Sequence, residues 1–151
     1  MKKIAIKYGL WMLAGFIAFF LIMHLIGLST KTWLRIFNGV IHIGLLWTAI
    51  REYRQSNPEA AENYVSSVAV GMWTSAIGVV GFSIFMFFFM VLNEPFMQAV
   101  QDNIPIGKYI NPFTATLFIL AEGIAISLIG SYILIRIVDM RLSDSSSTYS
   151  D

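Results

Sequence analysis

Glu122, His42, Asn38, Arg35 and His24 are the side chains in this sequence whose chemistry fits their surroundings least well. Each lies in or beside a long apolar run, where a carboxyl, imidazole or amide finds no water to bond. A carboxyl and an imidazole at one depth in such a setting could hold an ion or pass a proton. Arg35, Asn38 and His42 are spaced three and four apart, so a helix presents them as one polar stripe. Glu122 lies ten positions after Pro112, about 15 Å along a helix and near the middle of a ~30 Å hydrocarbon layer. A carboxyl there opposes insertion by roughly 3 kcal/mol, while the twelve Leu, Ile and Phe residues of Phe113–Ile135 favour it by roughly 5 kcal/mol. The helix therefore inserts, and Glu122 is expected to be paired or held neutral. His42, nine positions after Trp33, falls about 13–14 Å deep and level with Glu122, with His24 level with Asn38.

This path from the outer face to the midplane has three readings. Interhelical hydrogen bonds of this kind can simply fix helix partners, at about 0.6 kcal/mol each on average. A proton or ion site is the second reading. A metal site is the third, although two His and one Glu on three helices have no recognisable ligand spacing. No catalytic residue, cofactor site or metal site is assigned. Gly78-Val79-Val80-Gly81 lies inside an apolar run and cannot be a phosphate loop, no nucleophile elbow precedes a helix, and Glu122 lacks a second intramembrane acid. The absence of cysteine removes disulfides, thiolate ligands and a thiol nucleophile. A net charge of +1, with no basic cluster to track phosphates, gives no reason to expect nucleic acid.

The elements that must position these residues are four apolar runs, Tyr8–Leu28, Trp33–Ile50, Val65–Leu92 and Pro112–Ile135. Hydrophobic residues make up 57% of the chain and charged residues 13%, about half the charge of a soluble domain. Mean hydropathy is +0.71. The expected fold is all-α: an integral membrane four-helix bundle filling residues 1–140, with a disordered Ser-rich tail over 141–151. The first run is longer than the apolar core of a signal peptide and no clean small-x-small site follows, so it reads as a retained span. Lys2, Lys3, Lys7, Arg51, Arg54, Arg136 and Arg141 fall on one side and Lys31, Arg35 and Lys108 on the other. That asymmetry places both termini in the cytoplasm.

The connections carry their own signals. Ser29–Thr32 is short, so the first two spans are antiparallel neighbours. Trp33 and Trp47 sit near the ends of the second span, at headgroup level. Asn57-Pro58, with Glu59 and Glu62 in the first turns, reads as the start of the third helix, and Asn111-Pro112 as the start of the fourth span. Asn93-Glu94-Pro95 ends the third span and caps a short helix over about 95–101. Phe96, Met97 and Val100 share one side of it, which would lie along the outer membrane surface.

Small residues supply the packing handles. Ser67, Gly71, Thr74, Gly78 and Gly81 share one face of the third span, and Gly123, Ser127 and Gly130 one face of the fourth. These faces either meet each other or form a contact between copies. Phe82, Phe85, Phe87, Phe88 and Phe89, with Met86 and Met90, read as lipid-facing or packed residues, with a hydrophobic ligand groove as the other reading. Two functions follow. One is a non-enzymatic scaffold or accessory subunit, associating with itself or a larger membrane complex through its small-residue faces. The other is a small homo-oligomeric transporter or proton-coupled carrier using Glu122 and His42.

Several short features also resemble a bacterial inner-membrane family catalogued as domain of unknown function 4199. They are Lys2-Lys3 with Tyr8-Gly9, Tyr53-Arg54 before a polar stretch, Gly71 and Ser75, Pro95-Phe96, Glu122-Gly123 and Ser127-Leu128-Ile129. The entry to the third span, Pro58-Glu59-Ala60-Ala61, departs from the Gly- and Phe-bearing pattern of that family. The resemblance implies four spans in a bacterial cytoplasmic membrane and no established activity.

Overall fold

The computed structural model describes residues 1–29, 31, 35–57 and 64–147, with the side chains of Arg35 and of 141–147 outside that description. The predicted roles of Trp33, Pro58, Glu59 and Glu62 fall outside the described residues. Five α-helices and no strand occur among the described residues: α1 Lys2–Leu25, α2 Arg35–Ser56, α3 Tyr64–Leu92, α4 Glu94–Asp102 and α5 Pro112–Ser147. A 3₁₀ turn, Gly107–Tyr109, precedes α5. Three helices, Lys2–Leu25, Tyr64–Leu92 and the Pro112–Met140 part of α5, are long and apolar enough to cross a membrane. α2 is long enough at 22 residues, about 33 Å, but Asn38, His42, Arg51, Glu52 and Arg54 make it more polar.

Helix ends follow local chemistry. α1 stops where Gly27 adopts φ +73° and the Leu28 amide reaches back to Met23 O at 2.8 Å. This is a glycine-terminated helix end that satisfies a last-turn carbonyl. Asn93 caps α4 by accepting the Phe96 amide at 3.1 Å. Asn111 and Thr114 cap α5 reciprocally, each side chain accepting the other's amide at 2.9 Å, with Pro112 in the first turn. The Asn57 side-chain amide donates to Tyr53 O at 3.1 Å at the end of α2. α5 also runs to Ser147, so Arg141–Ser147 is helical where composition predicts a disordered tail.

α3 is the central element and packs against α1, α2 and α5, while α2 bridges α1 and α5. Glycines set the closest approaches. A Cβ on Gly9 would come within 2.7 Å of Ile77 Cβ, one on Gly78 within 2.6 Å of Met12 Sδ, and one on Gly123 would collide with Val79 Cγ1. The small-residue faces thus do not simply meet each other. Gly78 and Gly81 receive α1 side chains, Gly71 receives Ser131 of α5, Gly123 receives Val79 of α3, and Gly130 receives Ile43 of α2. Gly78, Gly81, Gly123 and Gly130 each accept a larger side chain and Gly71 a serine, which brings the helix backbones close together.

α4 corrects a second expectation. Its apolar face does not lie free along a surface, because Phe96 and Met97 are buried in the common core. The Phe96 ring meets Phe20 edge-on at 5.6 Å and Phe89 at 5.2 Å, so α4 closes one end of the helix cluster. Gly107 fits against α4 because it lacks a side chain: a Cβ would collide with Gln101 O.

At the opposite end, charged groups tie the helices. The Glu52 carboxylate accepts hydrogen bonds from Lys7 at 2.9 Å and Tyr8 at 2.5 Å. Its pKa is held below the usual carboxylate value by the Tyr8 hydroxyl first and by Lys7 second. Arg54, with a side chain 1% exposed, pairs with Asp139 of α5 at 2.9 Å.

Candidate functional site

Between α4 and the middle of the helices lies a cavity of about 550 Å³. Phe16, Phe20, Phe82, Met86, Met90 and Phe96 are among the apolar residues of its wall. Asn38, His42 and Glu122 supply polar groups along its depth, and Ser29, Lys31 and Asn103 do so at the end nearest α4. The aromatic and Met run of α3 therefore divides by face. Phe82, Met86 and Met90 turn into the cavity, Phe85 and Phe89 pack against Phe20, and Phe88 is exposed.

His42 is 2% exposed and forms part of the cavity lining between α3 and α5. Its Nε2 lies 2.9 Å from Ser75 Oγ and 3.3 Å from Ser127 Oγ. The Ser127 hydroxyl gives its single proton to Gly123 O at 2.6 Å, which leaves only its oxygen to face the ring nitrogen. The Phe16 ring stands edge-on at 5.8 Å. His42 thus joins three helices through two hydroxyls, one of which, Ser127, was singled out in the sequence only as a small packing residue.

The structure brings together three of the five predicted polar residues. Asn38, His42 and Glu122 all border the cavity, and the Asn38 Oδ1 is buried with no hydrogen-bond partner. Glu122 does not sit level with His42. His42 bonds Ser127, five residues further along α5, so Glu122 stands about 7.5 Å nearer the α4 end. It is exposed at the flank between α2 and α5, where it borders both the cavity and a surface groove. His24 leaves the path: its Nδ1 meets Ser29 Oγ at 3.3 Å, and its ring is enclosed by Phe20, Phe89 and Phe96. The side chain of Arg35 lies outside the described residues.

No group of three His, Asp or Glu side chains able to hold a metal ion occurs among the described residues. The Arg54–Asp139 pair and the Lys7–Tyr8–Glu52 cluster were not found by sequence reasoning. The only signal for them was opposite charges at the same end of antiparallel helices.

The model of a family described as "Protein of unknown function (DUF4199)" matches residues 7–105. The matched part carries α1 to α4, hence Asn38, His42, Ser75 and most of the cavity's aromatic wall. Glu122, Ser127 and Asp139 of α5 lie beyond it. No curated protein and no solved structure matches the chain.

Proposed function

The chain belongs to the DUF4199 family of proteins of unknown function, and we propose that it is a non-enzymatic membrane protein that holds an amphipathic small molecule in the cavity beneath α4. The cavity carries this reading. Helix interiors are close-packed, with few voids larger than a water molecule. A space of about 550 Å³ lies instead in the range of small-molecule sites, as does a wall that is mostly apolar with a few polar groups. Phe and Met faces suit a hydrocarbon body, and Asn38, His42 and Glu122 suit a polar head.

The same proposal includes a bacterial cytoplasmic membrane, α2 as a fourth crossing, and both termini in the cytoplasm. Support comes from the ends that carry most of the positive charge. Lys7 with Glu52, and Arg54 with Asp139, tie the start of α1, the end of α2 and the last third of α5 to one end of the helix cluster. Lys31 lies at the other end, on the connection that follows α1. α2, though more polar, is sheltered by α1, α3 and α5.

An accessory subunit that assembles through its small-residue faces draws less support, because Gly71, Gly78, Gly123 and Gly130 are filled by side chains of the same chain. A carrier would use the same cavity and add movement of its contents across the membrane.

Ala115, on the cavity wall, offers the test. The protein and its Ala115→Trp variant are purified in lipid nanodiscs, and retained small molecules are extracted and weighed by mass spectrometry. Wild type should retain an amphiphile in near-stoichiometric amount, and the equally helical variant should retain several-fold less. Equal retention by both would overturn the cavity as the binding site.

A further inference from the structure

We infer that the cavity takes a single-chain carboxylate that is polar at both ends, with its charged group at the open rim beside Lys31 and a hydroxyl at the floor beside Asn38 and His42. The inference rests on the reading of the cavity as an amphiphile site, and it specifies the ligand and its orientation.

The cavity is open at one end and closed at the other. At the α4 end its lining includes the exposed residues Lys31, Asn103 and Ile106. At the opposite end Phe16, His42 and Val79 are buried, and the Phe16 ring stands edge-on against His42. Phe16 lies nine residues before Leu25, the last residue of α1, so the floor is about 14 Å below the rim. Phe20, Phe82, Met86 and Met90 line the wall between them. A compact molecule cannot touch both ends, whereas an extended hydrocarbon chain can.

Charge assigns the rim. Lys31 is the one basic side chain among the described lining residues, and it forms no ion pair among the described residues. Its place is fixed by the turn after α1, where the Lys31 amide donates to Leu28 O at 3.0 Å. Ser29 and Asn103 stand at the same end with a hydroxyl and a carboxamide. An ammonium and a carboxylate form a hydrogen bond roughly twice as strong as a neutral pair, and one lysine balances one negative charge. Asp102, next to Asn103 in the chain, is exposed and outside the lining. Glu122 has an interaction of its own and does not set the sign of the ligand. Hydrogen-bonding capacity assigns the floor. His42 Nε2 is taken by Ser75 and Ser127, which leaves Nδ1, and the Asn38 Oδ1 has no hydrogen-bond partner. A hydroxyl both donates and accepts, so it answers a carboxamide and either tautomer of the imidazole. A second carboxylate at that depth would be a buried charge with no cation beside it among the described lining residues.

Three probes with the same chain and different ends separate the possibilities: ω-hydroxydodecanoate, dodecanoate and dodecanediol. Each is titrated calorimetrically at neutral pH into the protein in phosphatidylcholine nanodiscs, with empty nanodiscs as the reference for partitioning. ω-Hydroxydodecanoate should bind about tenfold more tightly than dodecanediol and several-fold more tightly than dodecanoate. Lys31→Met, at an exposed position, should remove the first difference. Asn38→Leu, which costs Oδ1 no hydrogen bond, should remove the second. Each variant reads one end of the ligand, so the inference is tested even where one of them fails to fold. Dodecanediol binding as tightly as the hydroxy acid, or a preference unmoved by Lys31→Met, would overturn the charged end at the rim. Dodecanoate binding as tightly as the hydroxy acid would overturn the hydroxyl at the floor. In both cases the cavity reading stands, because the probes still bind. If none of the three binds, the amphiphile reading falls with the inference.

Discussion

At the scale of single residues, the buried ring of His42 is shared between two hydroxyls rather than paired with one. His42 Nε2 faces both Ser75 and Ser127, and one ring nitrogen cannot bond fully to two hydroxyls. Removing either hydroxyl therefore lets the ring settle on the other. Ser75→Ala and Ser127→Ala should each destabilise by about 0.6 kcal/mol, the usual size of an interhelical hydrogen bond, and the double variant by more than their sum. Reversible unfolding in mixed micelles measures all four corners, and strict additivity would mean that the two serines act separately. Glu52 gives a pH prediction. Its folded pKa lies below the ordinary 4.5, through Tyr8 and then Lys7. The stability it adds is therefore fully present above 4.5 and is lost as pH falls through the lowered folded value. Thermal unfolding followed from neutral pH downward should show wild type losing more stability in acid than Glu52→Gln. Parallel curves would show that the Tyr8–Glu52–Lys7 cluster does not couple to folding.

At the scale of elements, close helix contact was legible in the sequence and its partners were not. The 4, 3 spacing of small residues on α3 and α5 identifies faces where backbones can approach, but a face says nothing about which helix fills it. Gly9 illustrates this. Only Ala5, four residues earlier, is small on the same face of α1, yet a Cβ on Gly9 would press on Ile77 Cβ at 2.7 Å and on the Thr74 carbonyl at 3.0 Å. Backbone and a β-branched side chain yield less than the unbranched Met12, whose Sδ and Cγ are the atoms nearest Gly78 and whose Cβ follows at 2.9 Å. Gly9→Ala should therefore destabilise by about 1–3 kcal/mol, and Gly78→Ala by less, in the same micelle unfolding measurement. The reverse order would mean that α1 and α3 can part at Gly9 without loss. α4 was legible as a helix, from Asn93 and Pro95, and its apolar side was read correctly. Its destination was not, because an apolar face suits lipid and protein core equally well. The deciding contacts, Phe96 on Phe20 and Phe89, join residues remote in sequence. For the same reason Asn38, His42 and Glu122 could be chosen as the polar residues of the site, while Ser75 and the cavity's Phe and Met wall could not be tied to them.

At the scale of the whole molecule, the weakest apolar helix holds a central place. α2 touches α1, α3 and α5, carries Asn38 and His42 into the cavity, and ends in Arg54 paired to Asp139. If α2 crosses the bilayer, the segment before it and the segment after it face opposite compartments. If it is instead a sheltered helix that does not cross, they face the same one. The chain contains no cysteine, so single cysteines placed at will report on access without a background. Ser29→Cys and Asp102→Cys mark the α4 end, and Ser56→Cys marks the end where Glu52 and Arg54 lie; Asp102 and Ser56 are exposed. With a maleimide that cannot cross membranes, intact bacterial cells expressing the protein should label at positions 29 and 102, and at position 56 only after lysis. Charge asymmetry sets that direction, since lysine and arginine near helix ends are retained on the cytoplasmic side. Labelling of 29 and 56 from the same side would place α2 outside the set of crossings. The polar stripe of Asn38 and His42 would then be carried by a helix that never spans the hydrocarbon layer.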